Sequence, residues 1–241
     1  MSLPFYFYII LSILFLLCLF VLSKKISTFI YLLAYLATRS KTAALFAVTI
    51  VLLPGTIIHE LSHFFVALIL FVPTGELSIF PTIEKDGTIR AGKLMIAKVD
   101  PFRHAIVGLA PILMGLSFIY FLGKIFFVNL SWITTNQYSF VLLPILCYLL
   151  FVTSMTMFSS KKDVESLIIA GPIIIILFLF LSQTGLRVVF PNTFLLVTDE
   201  VFQFFALSLF LMTGFNSLVY LSLLFLLSLG KERVKGGVSA T

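Results

Sequence analysis

Apolar runs about as long as a bilayer is thick decide what this chain is able to fold into. They occupy residues 4–23, 42–72, 104–127, 140–158, 164–182 and 201–229. Each meets or approaches the roughly 20 residues that a helix needs to cross the hydrocarbon core. Backbone groups in lipid find no water, so runs of this kind must close their hydrogen bonds within helices. Composition agrees, because 61% of the residues are hydrophobic and only 11% are charged. The charges gather between the runs, which excludes a soluble globular domain. The formal net charge of +6 calls for no nucleic acid partner; its placement bears on orientation in the bilayer and on contact with anionic headgroups. Cys18 and Cys147 both lie inside apolar runs, which points to neither a disulfide framework nor a thiolate metal site. With no internal repeat and no low-complexity linker, residues 1–241 read as one integral membrane domain.

Within it, residues 1–41 read as an N-terminal anchor region. No Lys or Arg precedes the first run and no small-residue cleavage pattern follows it, so an anchor is expected rather than a removable signal. Lys24 and Lys25 are expected to end that span. Residues 27–37 are short for a crossing and are expected at the interface or packed on the bundle. After the second run the pattern changes. Leu77, Ile79, Pro81 and Ile83 alternate with Ser78, Phe80 and Thr82, which is strand periodicity. Asp86-Gly87 is a tight-turn signal. The expectation is an antiparallel hairpin of 77–83 with 88–99, in which Pro81 marks an edge or an interruption. Residues 128–139 and 183–199 are expected as loops, and Lys231–Lys235 as a basic tail. The fold class is an all-α polytopic membrane protein of about six transmembrane helices, with the small β-hairpin inserted. Placing Lys161, Lys162 and the tail in the cytoplasm brings 74–103 there too, with its five Lys/Arg residues. Arg39 and Lys41 then fall outside, against the rule, so the first 41 residues stay unassigned.

The second run carries His59-Glu60-Leu61-Ser62-His63. On a helix His59 and His63 stand one turn apart on the same face, where both imidazoles reach one metal ion. Glu60 sits beside them, where a carboxylate serves as general base. A carboxylate near the middle of a span costs about 2.5–3.5 kcal/mol on insertion scales, which argues for use. Pro54 and Gly55 precede His59 by about one turn, where a kink would open the helix toward a cavity. A catalytic zinc (Zn2+) site takes three protein ligands and one open position. The third must come from the remaining acids or from His104. Glu76 and Glu84 belong to the hairpin, and Asp199 and Glu200 fall on the opposite side in this topology. Asp163 and Glu165 lie on the same side as the C-terminal end of the metal-bearing span. Asp163 also begins a helix, where a carboxylate caps free N–H groups. His104 reads as an interfacial side chain and Asn216 as helix–helix glue.

The arrangement resembles the site-2 protease family of intramembrane zinc metalloproteases over roughly residues 42–182. His59, Glu60 and His63 match its first motif fully, and Ala110-Pro111 matches its middle patch loosely. The third motif differs: Val164 follows Asp163 in place of glycine, Phe158 stands where a proline is expected, and 140–163 holds no asparagine. The resemblance implies zinc held by His59, His63 and Asp163, with Glu60 as the catalytic residue and Glu165 in reserve. It implies a membrane-embedded zinc-dependent metalloendopeptidase acting on membrane-protein or membrane-associated peptide substrates. Its expected place is the plasma membrane, with the site toward the cytoplasm. Two other readings stay open: a membrane scaffold or transporter that retains the motif, and a prenyl-protein type of zinc peptidase in which Glu165 completes the site.

Overall fold

The computed structural model describes residues 5–78, 82–83, 89–90, 93–96, 99–135, 137–158, 176, 180 and 191–238. Its helices are α1 (Phe5–Thr38), α2 (Lys41–Ile69), α3 (Pro101–Val128), α4 (Leu130–Thr135), α5 (Ser139–Thr156) and α6 (Asn192–Val238). Among the described residues five helices are long and apolar enough to cross a membrane. The protein is an all-α polytopic membrane protein. The expected span 164–182 lies outside the described residues, apart from two isolated positions.

The first expectation to fail is the break at Lys24-Lys25, because α1 is one helix of 34 residues. Lysine is a good helix former, and both side chains find partners on neighbouring segments. Lys24 Nζ donates to the Phe158 carbonyl at 2.9 Å, and Lys25 Nζ stands 5.6 Å from the Tyr220 ring centroid. The chain turns instead at Arg39, whose φ of 55° is left-handed. Ser40 then caps α2 by accepting from the Ala43 N–H, satisfying one of the helix's orphan donors.

α2 ends in a Schellman turn. Phe71 has φ 54°, Phe71 N–H bonds to Leu68 O at 3.1 Å and Val72 N–H to Ala67 O at 2.8 Å, the pattern that satisfies terminal carbonyls. Pro73 follows and blocks any return to helix. Four short strands come next: β1 (Thr74–Ser78), β2 (Thr82–Ile83), β3 (Ile89–Arg90) and β4 (Lys93–Ile96). They pair as the alternation predicts, antiparallel, with Ser78 opposite Lys93 and Thr82 opposite Arg90. The ladder opens at Thr74, earlier than the expected 77, and shifts register between Thr74 and Leu77. Pro81 and Asp86-Gly87 lie outside the described residues. β1 and β4 contact α2.

The return helix α3 opens at Asp100, which accepts from Arg103 N–H at 3.0 Å, with Pro101 at the first position, where its missing N–H is harmless. α3 and α5 then run antiparallel. Gly115 lets them close, since a Cβ there would lie 2.8 Å from Met157 Cβ. Gly55 does the same between α2 and α5: a Cβ would meet Val152 O at 2.5 Å and Thr156 Oγ1 at 2.6 Å. On the Gly55 face the expected opening is thus a close approach, whereas Leu52 and Thr56 border a cavity of about 360 Å³ shared with α1 and α5.

α1 and α6 pack lengthwise in the same direction, with Phe15 against Phe210 and Phe29 stacked on Tyr220. Leu19, Ile26, Ile119, Val152 and Leu209 are fully buried in the core cluster between the helices. Two expected loops carry helix. α4 occupies 130–135, and α6 begins at Asn192 rather than after 199, with the Pro191 carbonyl just before it accepting from Phe194 N–H at 2.9 Å. The basic stretch Lys231–Lys235 continues α6.

Candidate metal centre

The site grows out of the last turns of α2. His59, Glu60, Ser62 and His63 are all buried there, an unusual density of polar side chains for a span. Helical spacing places the two imidazoles on one face, and their centroids are 4.9 Å apart with ring planes at 86°. At about 100° per residue, Glu60 stands about 60° round the helix from His63, flanking the pair. Ser62 turns its hydroxyl back to the His59 carbonyl at 2.6 Å, which satisfies it within the helix.

α3 supplies the opposing wall. The Schellman turn, the hairpin and the Asp100 cap bring α3 back along α2, and Val107 packs with Ala67 and Val72 in a small apolar cluster below His63. His63 Nδ1 lies 2.8 Å from the Val107 carbonyl oxygen. A carbonyl only accepts, so Nδ1 carries the proton, and in the neutral ring Nε2 keeps its lone pair. A metal-ligating histidine is ordinarily held this way, with its second nitrogen donating to a carbonyl or carboxylate. The pair therefore fits a zinc ion on two counts, spacing and tautomer.

The structure brings His59, Glu60 and His63 together. Asp163, Glu165 and Glu84 lie outside the described residues. Among the described residues no group of three or more His, Cys, Asp and Glu side chains is gathered to hold a metal. His104 is exposed in the first turn of α3, and Glu76 is exposed on β1. Asp199 and Glu200 lie on α6. Asn216, fully buried on α6, donates to Ser154 Oγ on α5 at 2.9 Å. Two contributors escape a reading of side chains. Val107 enters through its backbone carbonyl, and Asp100 acts as a helix cap that also pairs with Arg103 at 3.3 Å. Both partners of that ion pair are half-exposed, so its own contribution is about 0–1 kcal/mol.

No family model, curated protein or solved structure matches this chain. The site-2 protease resemblance therefore stands on the motif residues themselves.

Proposed function

We propose that this chain is an intramembrane zinc metalloprotease of the site-2 protease type, which hydrolyses peptide bonds within or beside the bilayer. The observation that carries the reading is the buried His59/His63 pair on α2, with His63 Nδ1–H committed to Val107 O, so that the ring would ligate through Nε2. His59 and His63 hold the metal, and Asp163 completes the set, with Glu165 in reserve. Zinc held there supplies a Lewis acid and a hydrolytic water. Glu60 takes a proton as general base and returns it to the leaving amine. Because helix α2 is packed on α3 and α5, the reacting groups are shielded from lipid. The hairpin beside α2 supports strand addition by an unwound substrate segment. The basic residues of 74–103 favour a cytoplasmic site in the plasma membrane.

The test pairs zinc analysis with cleavage of a membrane-helix substrate in liposomes. Glu60→Gln keeps zinc and loses about 10²–10⁴-fold in rate, because Gln cannot accept the proton. His59→Ala and His63→Ala lose the metal, each removing one of three proposed ligands. Equal cleavage by wild type and Glu60→Gln sinks the mechanism. Zinc binding without any cleavage across a broad substrate panel favours the retained-scaffold reading.

A further inference from the structure

The acceptor for His63 is a helical carbonyl, and helical carbonyls ordinarily have a partner. In α3 the oxygen of Val107 would take the N–H of residue 111, four positions on. Residue 111 is proline, which has no N–H and whose ring crowds the carbonyl four residues back. Val107 is 1% exposed and Pro111 is fully buried, so solvent does not replace the missing donor. A buried carbonyl in that position must be satisfied from elsewhere. His63 Nδ1, at 2.8 Å, does so.

Among the described residues two other prolines lie inside helices, Pro54 in α2 and Pro144 in α5. The carbonyls they deprive belong to Ile50 and Phe140, residues 65% and 74% exposed on outer faces of the molecule. Only at Pro111, among these three, does the freed carbonyl sit in the interior beside a histidine.

We propose that Pro111 is a positioning residue for the metal centre: by withholding an N–H from Val107, it reserves that carbonyl for His63 Nδ1–H. The bond fixes the proton on Nδ1, sets the ring plane and presents Nε2 for ligation. Pro111 touches neither substrate nor metal. The metal half of this inference rests on the zinc reading, whereas the tautomer half stands on the hydrogen bond alone.

Two replacements isolate the N–H. Pro111→Ala restores a backbone donor. Lactic acid introduced at 111 carries the same methyl side chain on an ester and has no N–H. Nitrogen NMR of the histidine rings in detergent, with His63 assigned by its loss in His63→Gln, reads the tautomer. The expected result is an Nδ1–H ring in wild type and in the lactic-acid variant, and loss of that single tautomer in Pro111→Ala. Competition titration then gives a zinc affinity about tenfold weaker for Pro111→Ala, the usual scale for a lost outer partner, with wild-type affinity for the lactic-acid variant. Thermal unfolding should show Pro111→Ala no less stable than wild type, since alanine suits a helix interior better than proline. Stability is then kept while zinc affinity falls, which a packing role does not produce. Identical behaviour of the two replacements, or an unchanged tautomer in Pro111→Ala, overturns the proposal. A wild type that binds no zinc defeats the metalloprotease reading, while the NMR comparison still decides the role of Pro111.

Discussion

The α1–α6 pair and the α2–α3–α5 group both consist of helices that cross the membrane side by side, yet different chemistry holds them. Along α1 and α6 the contacts are large and apolar: Phe15 on Phe210, Phe29 on Tyr220, Leu19 and Leu209 inside. In the α2–α3–α5 group close backbone approaches and polar contacts are added to apolar packing. Gly55 admits the Val152 carbonyl, Gly115 admits Met157, and His63 bonds Val107. Lipid chains are as apolar as leucine, so burial of large side chains gives little preference for one partner over another in a bilayer. Close backbone approach and directed hydrogen bonds do give that preference. The molecule therefore spends its specific contacts around α2, α3 and α5, including those they make to the outer pair at Lys24 and Ser208, and leaves the α1–α6 seam to general packing.

The sharpest way to break this contrast is to fill Gly55. In Gly55→Val the branched side chain meets a backbone carbonyl that cannot rotate away, at a Cβ separation of 2.5 Å. Overpacking of this kind costs about 1–3 kcal/mol, and here the cost falls one turn before His59. Reversible unfolding in mixed detergent micelles should show that loss, and zinc retention should fall with it. If Gly55→Val unfolds like wild type, the close approach of α2 and α5 is not what organises the site.

A milder change tests the other side. Phe29→Leu removes the stacked contact with Tyr220, whose ring centroids are 5.2 Å apart. Aromatic pairs contribute about 0.5–1.5 kcal/mol beyond their area, and leucine refills part of the space. The same unfolding assay should register a loss in that range with zinc content unchanged. A loss of zinc from Phe29→Leu would show that the outer pair and the site are one unit.

What could be read in advance follows the same division. The i, i+4 histidines were legible because ligation by side chains leaves a fixed spacing in the sequence. The strand pairing was legible because the alternation reflects strand geometry directly. Val107 was not, since any residue offers a carbonyl, and only the proline four positions later marks it. The break at Lys24-Lys25 was misjudged for a related reason: charge reports what a span dislikes, but not whether a neighbour such as Phe158 O or Tyr220 accepts the side chain. The helical start at Asn192 was hidden because polar residues near a helix end look like a loop. Asp163 was placed by family resemblance, and its position is the part of the site that lies outside the described residues.

Asn216 is one of the places where the two regions touch, and it gives the smallest expected effect. It sits on α6 with 0% exposure and donates to Ser154 Oγ on α5 at 2.9 Å, while its Oδ1 has no hydrogen-bond partner among the described residues. Ser154 already gives its own proton to the Phe151 carbonyl at 2.8 Å. Asn216→Leu therefore removes one bond and one unsatisfied buried acceptor together, and leaves Ser154 bonded within its own helix. Hydrogen bonds between membrane helices contribute about 0.6–1.7 kcal/mol in double-mutant cycles, and an orphan acceptor costs about 1 kcal/mol or somewhat more, so the two terms oppose each other and nearly cancel. The expected change in unfolding free energy is within about 1 kcal/mol of zero, with zinc content unchanged. A loss well above that, or a loss of zinc, would mean that Oδ1 is bonded in the working protein, to water or to bound substrate. α6 would then belong to the site and not to the outer pair.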